Sequence, residues 1–138
     1  MSVPTPIHQA VRARAHGRCE YCHSPEWVGA ARFTMDHLVP RSRGGPDTLD
    51  NLALACPQCN AKKSDHVEAV DLETQQVVPL FNPRTANWSE HFRWFEDDLA
   101  ILLGLSPSSR ATIELLALNS SQRVAIRRNM MESGTHPP

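Results

Sequence analysis

The chain has no apolar stretch long enough to cross a membrane. None of its apolar runs approaches the roughly 18 residues that a membrane-spanning helix requires. The first residues also lack the apolar centre of a secretory signal. These absences argue against an integral membrane protein and predict a cytoplasmic protein with no membrane partner.

The chain also has little net charge, which argues against a surface uniformly coated with cations for gripping nucleic acid. Its formal net charge is -1. Residues 1–63 nevertheless hold eight Lys and Arg against five Asp and Glu, a net of +3, whereas the remainder holds six against ten, a net of -4. A local positive field can attract an anion even when the whole molecule is nearly neutral. The asymmetry favours an anionic ligand at the N-terminal half, although ordinary solvated charges give the same balance.

What the sequence does have is two pairs of cysteines, CEYC at Cys19 and Cys22 and CPQC at Cys56 and Cys59, with 33 residues between them. Two such pairs in a cytoplasmic chain predict a tetrahedral zinc site with four thiolate ligands. Because protein fills all four positions, this zinc is expected to be structural and not catalytic. Two disulfides and a thioredoxin-like redox pair are the alternatives, and a reducing compartment and the lack of a βαβ pattern disfavour them.

The segment between the cysteine pairs predicts two strands joined by a long loop and followed by a helix. These elements are a strand within residues 30–38, a turn-rich loop containing Gly44, Gly45 and Pro46, a strand over 52–55, and a helix opened by Pro57. Asn60 and Lys63 fall on one side of that helix at a spacing of three. A unit this small requires a metal for stability.

The flanking segments predict further helices and a hairpin. A short helix is expected over 6–16, a hairpin turning at 96–98, a helix capped by Ser106, and a last helix over 121–131. The predicted fold class is α+β, a small ββα core with a C-terminal hairpin and helices packed on it. The predicted domains are an N-terminal helix at 1–18, the core at 19–66, a C-terminal extension at 67–133 and a disordered tail at 134–138.

Asp36 and His37 stand side by side where the first predicted strand meets the loop. Neighbours on a strand point to opposite faces, so a shared role requires the chain to be leaving the strand there. A neutral imidazole suits the removal of a proton from water near pH 7. Magnesium takes oxygen ligands from one or two side chains, and Asp36 and the amide of Asn60 have such oxygens. These residue types suit the cleavage of a phosphodiester.

The stretch from Cys19 to about residue 65 resembles the core of the HNH endonucleases, the ββα-metal motif. It is similar to the variant whose third signature residue is asparagine, and the bracketing cysteine pairs resemble the zinc-stapled members. Many members carry histidine at the position of Asn60. A neutral amide there implies a weaker ion site.

The resemblance implies a role for each signature residue. His37 is expected to be the general base that activates water, and Asp36 and Asn60 to bind a catalytic divalent ion, Mg²⁺ or Mn²⁺/Ni²⁺. Asn51 is expected to shape the long loop and orient the base, and Lys63 to contact phosphate. Cleavage by this family implies a 5′-phosphate and a 3′-hydroxyl as products.

Two arginines on the glycine-rich loop, Arg41 and Arg43, are candidates for further phosphate contacts. No recognition helix or basic tail is evident, so specificity is expected to be low or to come from a homodimer or a partner protein. The sequence therefore predicts a metal-dependent endonuclease acting on nucleic acid, with DNA favoured. A non-catalytic zinc-dependent nucleic-acid-binding module and an oxidoreductase using its cysteine pairs are the alternatives.

Overall fold

The protein is described by a computed structural model that covers residues 3–29 and 31–138. Ala30, the first residue of the predicted strand, lies outside the described residues. The α-helices in the described part are α1 (Thr5–Arg14), α2 (Pro57–Lys63), α3 (Trp88–His91), α4 (Pro107–Leu115) and α5 (Ser121–Glu132). The strands are β1 (Thr34–His37), β2 (Leu52–Ala55), β3 (Glu68–Asp71), β4 (Gln76–Pro79), β5 (Phe92–Phe95) and β6 (Asp98–Gly104). The α+β fold class is confirmed.

The chain divides into two compact units. Unit 1 consists of Met1–Val67 together with Asn82–Thr85, and unit 2 consists of Glu68–Phe81 together with Ala86–Pro138. Unit 1 contains both cysteine pairs and every candidate site residue. The predicted domain boundaries stay a prediction.

Unit 1 has a ββα arrangement at its centre. Strands β1 and β2 pair antiparallel, with Asp36 opposite Ala53 and His37 opposite Leu52. All four residues of β2 are buried, which explains its uninterrupted apolar sequence. The predicted order of strand, long loop, strand and helix is confirmed.

Helix α2 begins at Pro57, which needs no hydrogen-bond partner for its nitrogen in the first turn. The Cys56 sulfur accepts a hydrogen bond from the Cys59 amide at 3.4 Å and so caps the helix. The helix ends where Ser64 takes a positive φ of 50°. The second cysteine pair therefore sits in the first turn of α2, where the sequence fixes both the cap and the start.

Helix α1 packs beside the return strand. Val11 is fully buried, and the Arg14 guanidinium donates to the carbonyl oxygens of Leu49 and Leu52 at 2.8 and 2.6 Å. Arg12 and Arg14 lie in the last helical turn, where positive charge interacts favourably with the helix dipole. These contacts anchor α1 to the end of the loop that leads into β2.

Unit 2 contains two antiparallel hairpins. Strands β5 and β6 pair around the turn that the sequence predicted, and Phe92 in β5 is buried. The hairpin of β3 and β4 pairs Val70 with Val77 and was not predicted. Its strands have four residues each and leave Val70 and Val77 exposed, so they lack the alternation by which a half-buried strand is recognised.

Helix α4 of unit 2 starts at the predicted cap, Ser106. The Ser106 hydroxyl accepts from the Ser109 amide at 3.2 Å, and the Ser109 hydroxyl accepts from the Ser106 amide at 2.9 Å. This reciprocal pair satisfies two helix N-terminal donors at the start of α4. The Ser120 hydroxyl caps α5 by accepting a hydrogen bond from the Arg123 amide at 3.3 Å. Both predicted C-terminal helices are confirmed.

The C-terminal residues, for which the sequence predicts disorder, are placed in contact with unit 2. His136 is 7% exposed, and its Nε2 donates to the carbonyl oxygen of Leu99 at 2.7 Å. Its ring centroid lies 4.4 Å from that of Trp94 in an edge-to-face arrangement. The tail is short and mostly polar, so its composition did not indicate the hydrogen bond or the aromatic contact of the His136 ring.

Within residues 3–29 and 31–138, no helix combines the length and the apolar character that crossing a bilayer requires.

A buried ion pair joins the β3–β4 hairpin to helix α4. Asp71 has no exposed side-chain surface, and the Arg110 guanidinium donates to both of its carboxylate oxygens at 3.0 Å. Thr74 donates to the same carboxylate at 2.8 Å. The Arg110 hydrogen bonds hold the pKa of Asp71 well below its usual range. The hairpin is thus attached to the helix by a bidentate charged contact.

Asp71→Asn is expected to lower the melting temperature of the protein at pH 7, because the neutral amide loses the bidentate pairing with Arg110. A carboxyl whose pKa is lowered by folding stabilises the protein above its unfolded pKa, about 3.9, and loses that contribution as the pH falls toward the folded value. The difference in melting temperature between the wild type and Asp71→Asn should therefore shrink below about pH 4. Thermal unfolding followed by circular dichroism between pH 7 and pH 2 measures it.

Glu73→Gln is the matched control, since Glu73 also pairs with Arg110, at 3.2 Å, but is 69% exposed. Exposed ion pairs contribute little to stability. If Glu73→Gln lowered the melting temperature as much as Asp71→Asn, burial would not be the source of the effect.

Candidate active site and zinc centre

The four cysteines converge on one point in the interior of unit 1. Cys19, Cys22, Cys56 and Cys59 are at most 2% exposed, and their sulfur atoms all lie within 4.8 Å of one another. None is in a disulfide, and the sulfurs of Cys22 and Cys56 are 3.7 Å apart. A tetrahedral zinc ion with bonds of about 2.3 Å separates its sulfur ligands by about 3.8 Å. The donors and their spacing fit a structural zinc site, and the disulfide alternative does not fit this spacing.

The first cysteine pair is held against the strand that leads to the second. The Glu20 amide donates to the Leu54 carbonyl at 2.8 Å, and the Glu20 carboxylate accepts from the Leu54 amide at 2.8 Å. The Arg84 guanidinium is ion-paired with the same carboxylate. Glu20 therefore fixes the distance between the two halves of the zinc site and also attaches residues 82–85 to unit 1.

The carboxylate of Asp36 is buried and already contacts two other side chains. It is 3% exposed, and the Tyr21 hydroxyl donates to Oδ2 at 2.6 Å. The Lys63 ammonium, also 3% exposed, lies 3.2 Å from both carboxylate oxygens. Burial raises the pKa of Asp36, and the nearby Lys63 charge opposes that shift. Asp36 and Lys63 thus form a buried ion pair between β1 and α2.

His37 faces a different environment from its neighbour. Both residues belong to β1, so their side chains leave opposite faces of the strand. The His37 Nε2 lies 2.7 Å from Oδ1 of Asp47, and the side chain is 14% exposed. The Arg41 guanidinium donates to both oxygens of Asp47, at 3.0 and 2.9 Å. The two side chains therefore contact different groups, and the chain has not left the strand at Asp36.

Asn51 closes the loop that follows His37. Its amide oxygen accepts from the Val39 amide at 2.8 Å, and its amide nitrogen donates to the carbonyls of Val39 and Pro46 at 3.1 and 2.9 Å. Gly45 is required where the loop folds back, because a Cβ there would lie 1.7 Å from the Val39 carbonyl oxygen. The expected loop-shaping role of Asn51 agrees with these contacts, which also return Asp47 to the His37 ring.

The remaining candidate residues differ in exposure. Asn60 is partly exposed on α2, and among residues 3–29 and 31–138 its side chain makes no hydrogen bond. Arg43 is exposed in the short 3-10 helix that it shares with Arg41. Lys63, expected to contact phosphate, is instead directed to Asp36, and its Nζ is 3.5 Å from the His37 carbonyl.

The described residues do not fit a divalent ion at Asp36. Its oxygens have the right chemistry for Mg²⁺, but they are buried and already accept hydrogen bonds from Lys63 and Tyr21. Mg²⁺ also keeps several of its waters, and a carboxylate that is 3% exposed leaves no space for them. We therefore derive no catalytic step through such an ion.

The sequence analysis missed two residues of this site. Asp47 follows a turn-rich stretch, and only the fold of the loop brings it to His37 ten residues earlier. Tyr21 lies between Cys19 and Cys22, and its proximity to Asp36 follows from the zinc cluster rather than from any spacing. The presence of a carboxylate on the loop was the one available signal for Asp47.

Residues 19–66, about a third of the chain, match the family model for HNH endonuclease. The four-cysteine cluster fits the zinc-stapled type of this family. The segment from Cys19 to His66 is therefore similar to the HNH endonucleases, a family whose members are in general nucleases. No curated protein and no solved structure matches the chain.

Cys59→Ser is expected to abolish zinc binding and unfold unit 1, because a buried four-thiolate site loses a ligand in the first turn of α2. The wild type should contain a single zinc ion per chain. Elemental analysis of the purified protein, with far-ultraviolet circular dichroism, measures both effects. A Cys59→Ser variant that kept its zinc and melted like the wild type would contradict the structural role of the site.

Asp36→Ala is expected to lower the free energy of unfolding by about 3–5 kcal/mol, because it leaves the Lys63 ammonium buried without its partner. The double variant Asp36→Ala with Lys63→Met removes both charges and should recover a large part of this loss. Urea unfolding of the three proteins measures it. Additive losses in the double variant would show that the two side chains do not interact.

Proposed function

We propose that this protein is an endonuclease that hydrolyses phosphodiester bonds in nucleic acid, with DNA as the favoured substrate and His37 as the general base. The observation that carries the proposal is the place of His37. It lies at the end of β1, inside the segment that matches the HNH endonuclease family, with its ring held by a carboxylate. Histidine held in this way is a common general base.

The proposed reaction is a displacement by water. The His37 imidazole takes a proton from water while the water oxygen forms a bond to phosphorus and the bond from phosphorus to the leaving oxygen breaks. The leaving oxygen then takes a proton from solvent. The family resemblance implies that the leaving group is the 3′-oxygen, which gives a 5′-phosphate and a 3′-hydroxyl.

The family resemblance implies Mg²⁺ or Mn²⁺/Ni²⁺ at Asp36 and Asn60, where it would neutralise charge that develops on the phosphate. The buried Asp36 carboxylate is paired with Lys63 and does not fit such an ion, so the proposed reaction includes no step through a divalent ion. Added Mg²⁺, Mn²⁺ and Ni²⁺ are therefore conditions of the nicking test.

Positive side chains near His37 support an anionic substrate. Arg43 is exposed, and Arg41 is 42% exposed although it pairs with Asp47. Both lie on the loop that begins after His37, where a bound phosphate would meet them. The net charge of +3 over residues 1–63 agrees with this placement.

The cellular setting and assembly form part of the proposal. Four unoxidised thiols suit a reducing, cytoplasmic compartment. A single ββα site cuts one strand, so a double-strand break would need a homodimer, a partner protein or two successive nicks.

A non-catalytic zinc-dependent nucleic-acid-binding module is the second candidate. The observation that favours it is the buried ion pair of Asp36 and Lys63, which occupies the carboxylate expected to bind the ion. The two candidates differ in product formation. A binding module retains plasmid without nicking it.

His37→Ala is expected to lose plasmid nicking by at least about 100-fold, the scale of general-base catalysis, while keeping zinc and fold. Zinc-loaded protein and supercoiled plasmid are incubated with and without added Mg²⁺, Mn²⁺ or Ni²⁺ in metal-depleted buffer. Chelators are avoided, because they remove the structural zinc.

His66→Ala is the matched control, since His66 is exposed and lies at the far end of the family-matched segment. It should nick like the wild type. Wild-type nicking by His37→Ala would remove the proposed base, and intact plasmid under every metal condition would favour the binding module.

A further inference from the structure

The position of Asp47 is determined by the loop rather than by its neighbours in sequence. The loop leaves β1 at His37 and turns at Gly44 and Gly45, and the Gly45 amide donates to the Pro40 carbonyl at 3.0 Å. Asn51 then binds the backbone on both sides of the turn, at Val39 and Pro46. Asp47 follows the residue whose carbonyl Asn51 binds, so the loop has little freedom to move this carboxylate away from the ring.

The contact between Asp47 and His37 is short and partly shielded from solvent. Oδ1 of Asp47 lies 2.7 Å from Nε2 of His37, and the two side chains are 30% and 14% exposed. The Arg41 guanidinium holds the same carboxylate from its other side, with Nε at 3.1 Å from Oδ1 and Nη2 at 2.9 Å from Oδ2. The hydrogen bonds from His37 and Arg41 hold the pKa of Asp47 below its usual range, so the carboxylate is ionised at neutral pH.

An ionised carboxylate can only accept hydrogen bonds. The His37 Nε2 must therefore carry the proton in this contact, and the lone pair of the neutral ring is on Nδ1. A negative charge beside Nε2 also stabilises the imidazolium that forms when the ring takes a second proton. The contact thus selects both the nitrogen that acts and the orientation of the ring.

We propose that Asp47 is a positioning residue for the general base: it holds Nε2–H of His37 and leaves Nδ1 to take the proton from water. This inference rests on the proposed function and adds to it a residue outside the signature set. Arg41 has its place in the same arrangement, since it keeps the Asp47 carboxylate oriented toward the ring. The charges of Asp36 and Lys63 lie on the opposite face of β1.

The first test measures the tautomer in the wild-type, zinc-loaded protein and does not depend on activity. Nitrogen-15 NMR of the histidine rings distinguishes a proton on Nε2 from one on Nδ1. His37, assigned by comparison with His37→Ala, should be the Nε2–H tautomer when neutral. An Nδ1–H tautomer would overturn the proposal whatever the protein does to nucleic acid.

The second test compares Asp47→Asn with Asp50→Asn in plasmid nicking. Both remove one negative charge from the same loop, but Asp50 is exposed and makes no ion pair within residues 3–29 and 31–138. Asp47→Asn should lower kcat by about tenfold or more, the scale of a supporting group in general-base catalysis, with KM within about twofold. Asp47→Glu, which restores the carboxylate, should recover part of the loss.

The outcomes separate this inference from the proposed function. If His37→Ala loses nicking but Asp47→Asn and Asp50→Asn nick equally, Asp47 does not position the base, and the endonuclease proposal stands. If His37→Ala nicks like the wild type, the endonuclease proposal itself fails, and the tautomer measurement still decides whether Asp47 sets the state of the ring. Zinc content and melting temperature are measured for each variant to exclude unfolding.

Discussion

The four buried cysteine thiols of unit 1 lie close together, and the positions of the candidate site residues depend on this cluster. The ββα core has two strands of four residues and a helix of seven, too little apolar surface to be stable without further support. A zinc ion on these thiols joins residues far apart in the chain. It also fixes Tyr21 at Asp36 and the first turn of α2 beside β1, so the positions of Asp36 and Lys63 follow from it.

Asp36 and His37 are neighbours in β1, and the ion pair of Asp36 with Lys63 puts their side chains in different environments. Asp36 faces inward, where Lys63 and Tyr21 satisfy it, and His37 faces the loop, where Asp47 holds its ring. Lys63 and Tyr21 therefore balance the buried Asp36 carboxylate without any bound ligand. The Asp36–Lys63 ion pair lies on the inner face of the strand, and the His37 ring lies on the outer face.

Local rules in the sequence predicted most of unit 1. The spacing of the cysteines predicted their cluster, Pro57 predicted the start of α2, and the apolar run at 52–55 predicted β2. Contacts between residues distant in sequence were not accessible in this way. The bond between Asp47 and His37 depends on how the loop closes over Gly45, and the β3–β4 hairpin depends on Asp71 pairing with Arg110 39 residues later.

The zinc-edge X-ray absorption spectrum of the purified protein tests the central claim most directly. The account predicts a single shell of four sulfur ligands at about 2.3 Å and no nitrogen or oxygen ligand. A first shell containing histidine nitrogen or water, or a protein that folds without bound zinc, would contradict it.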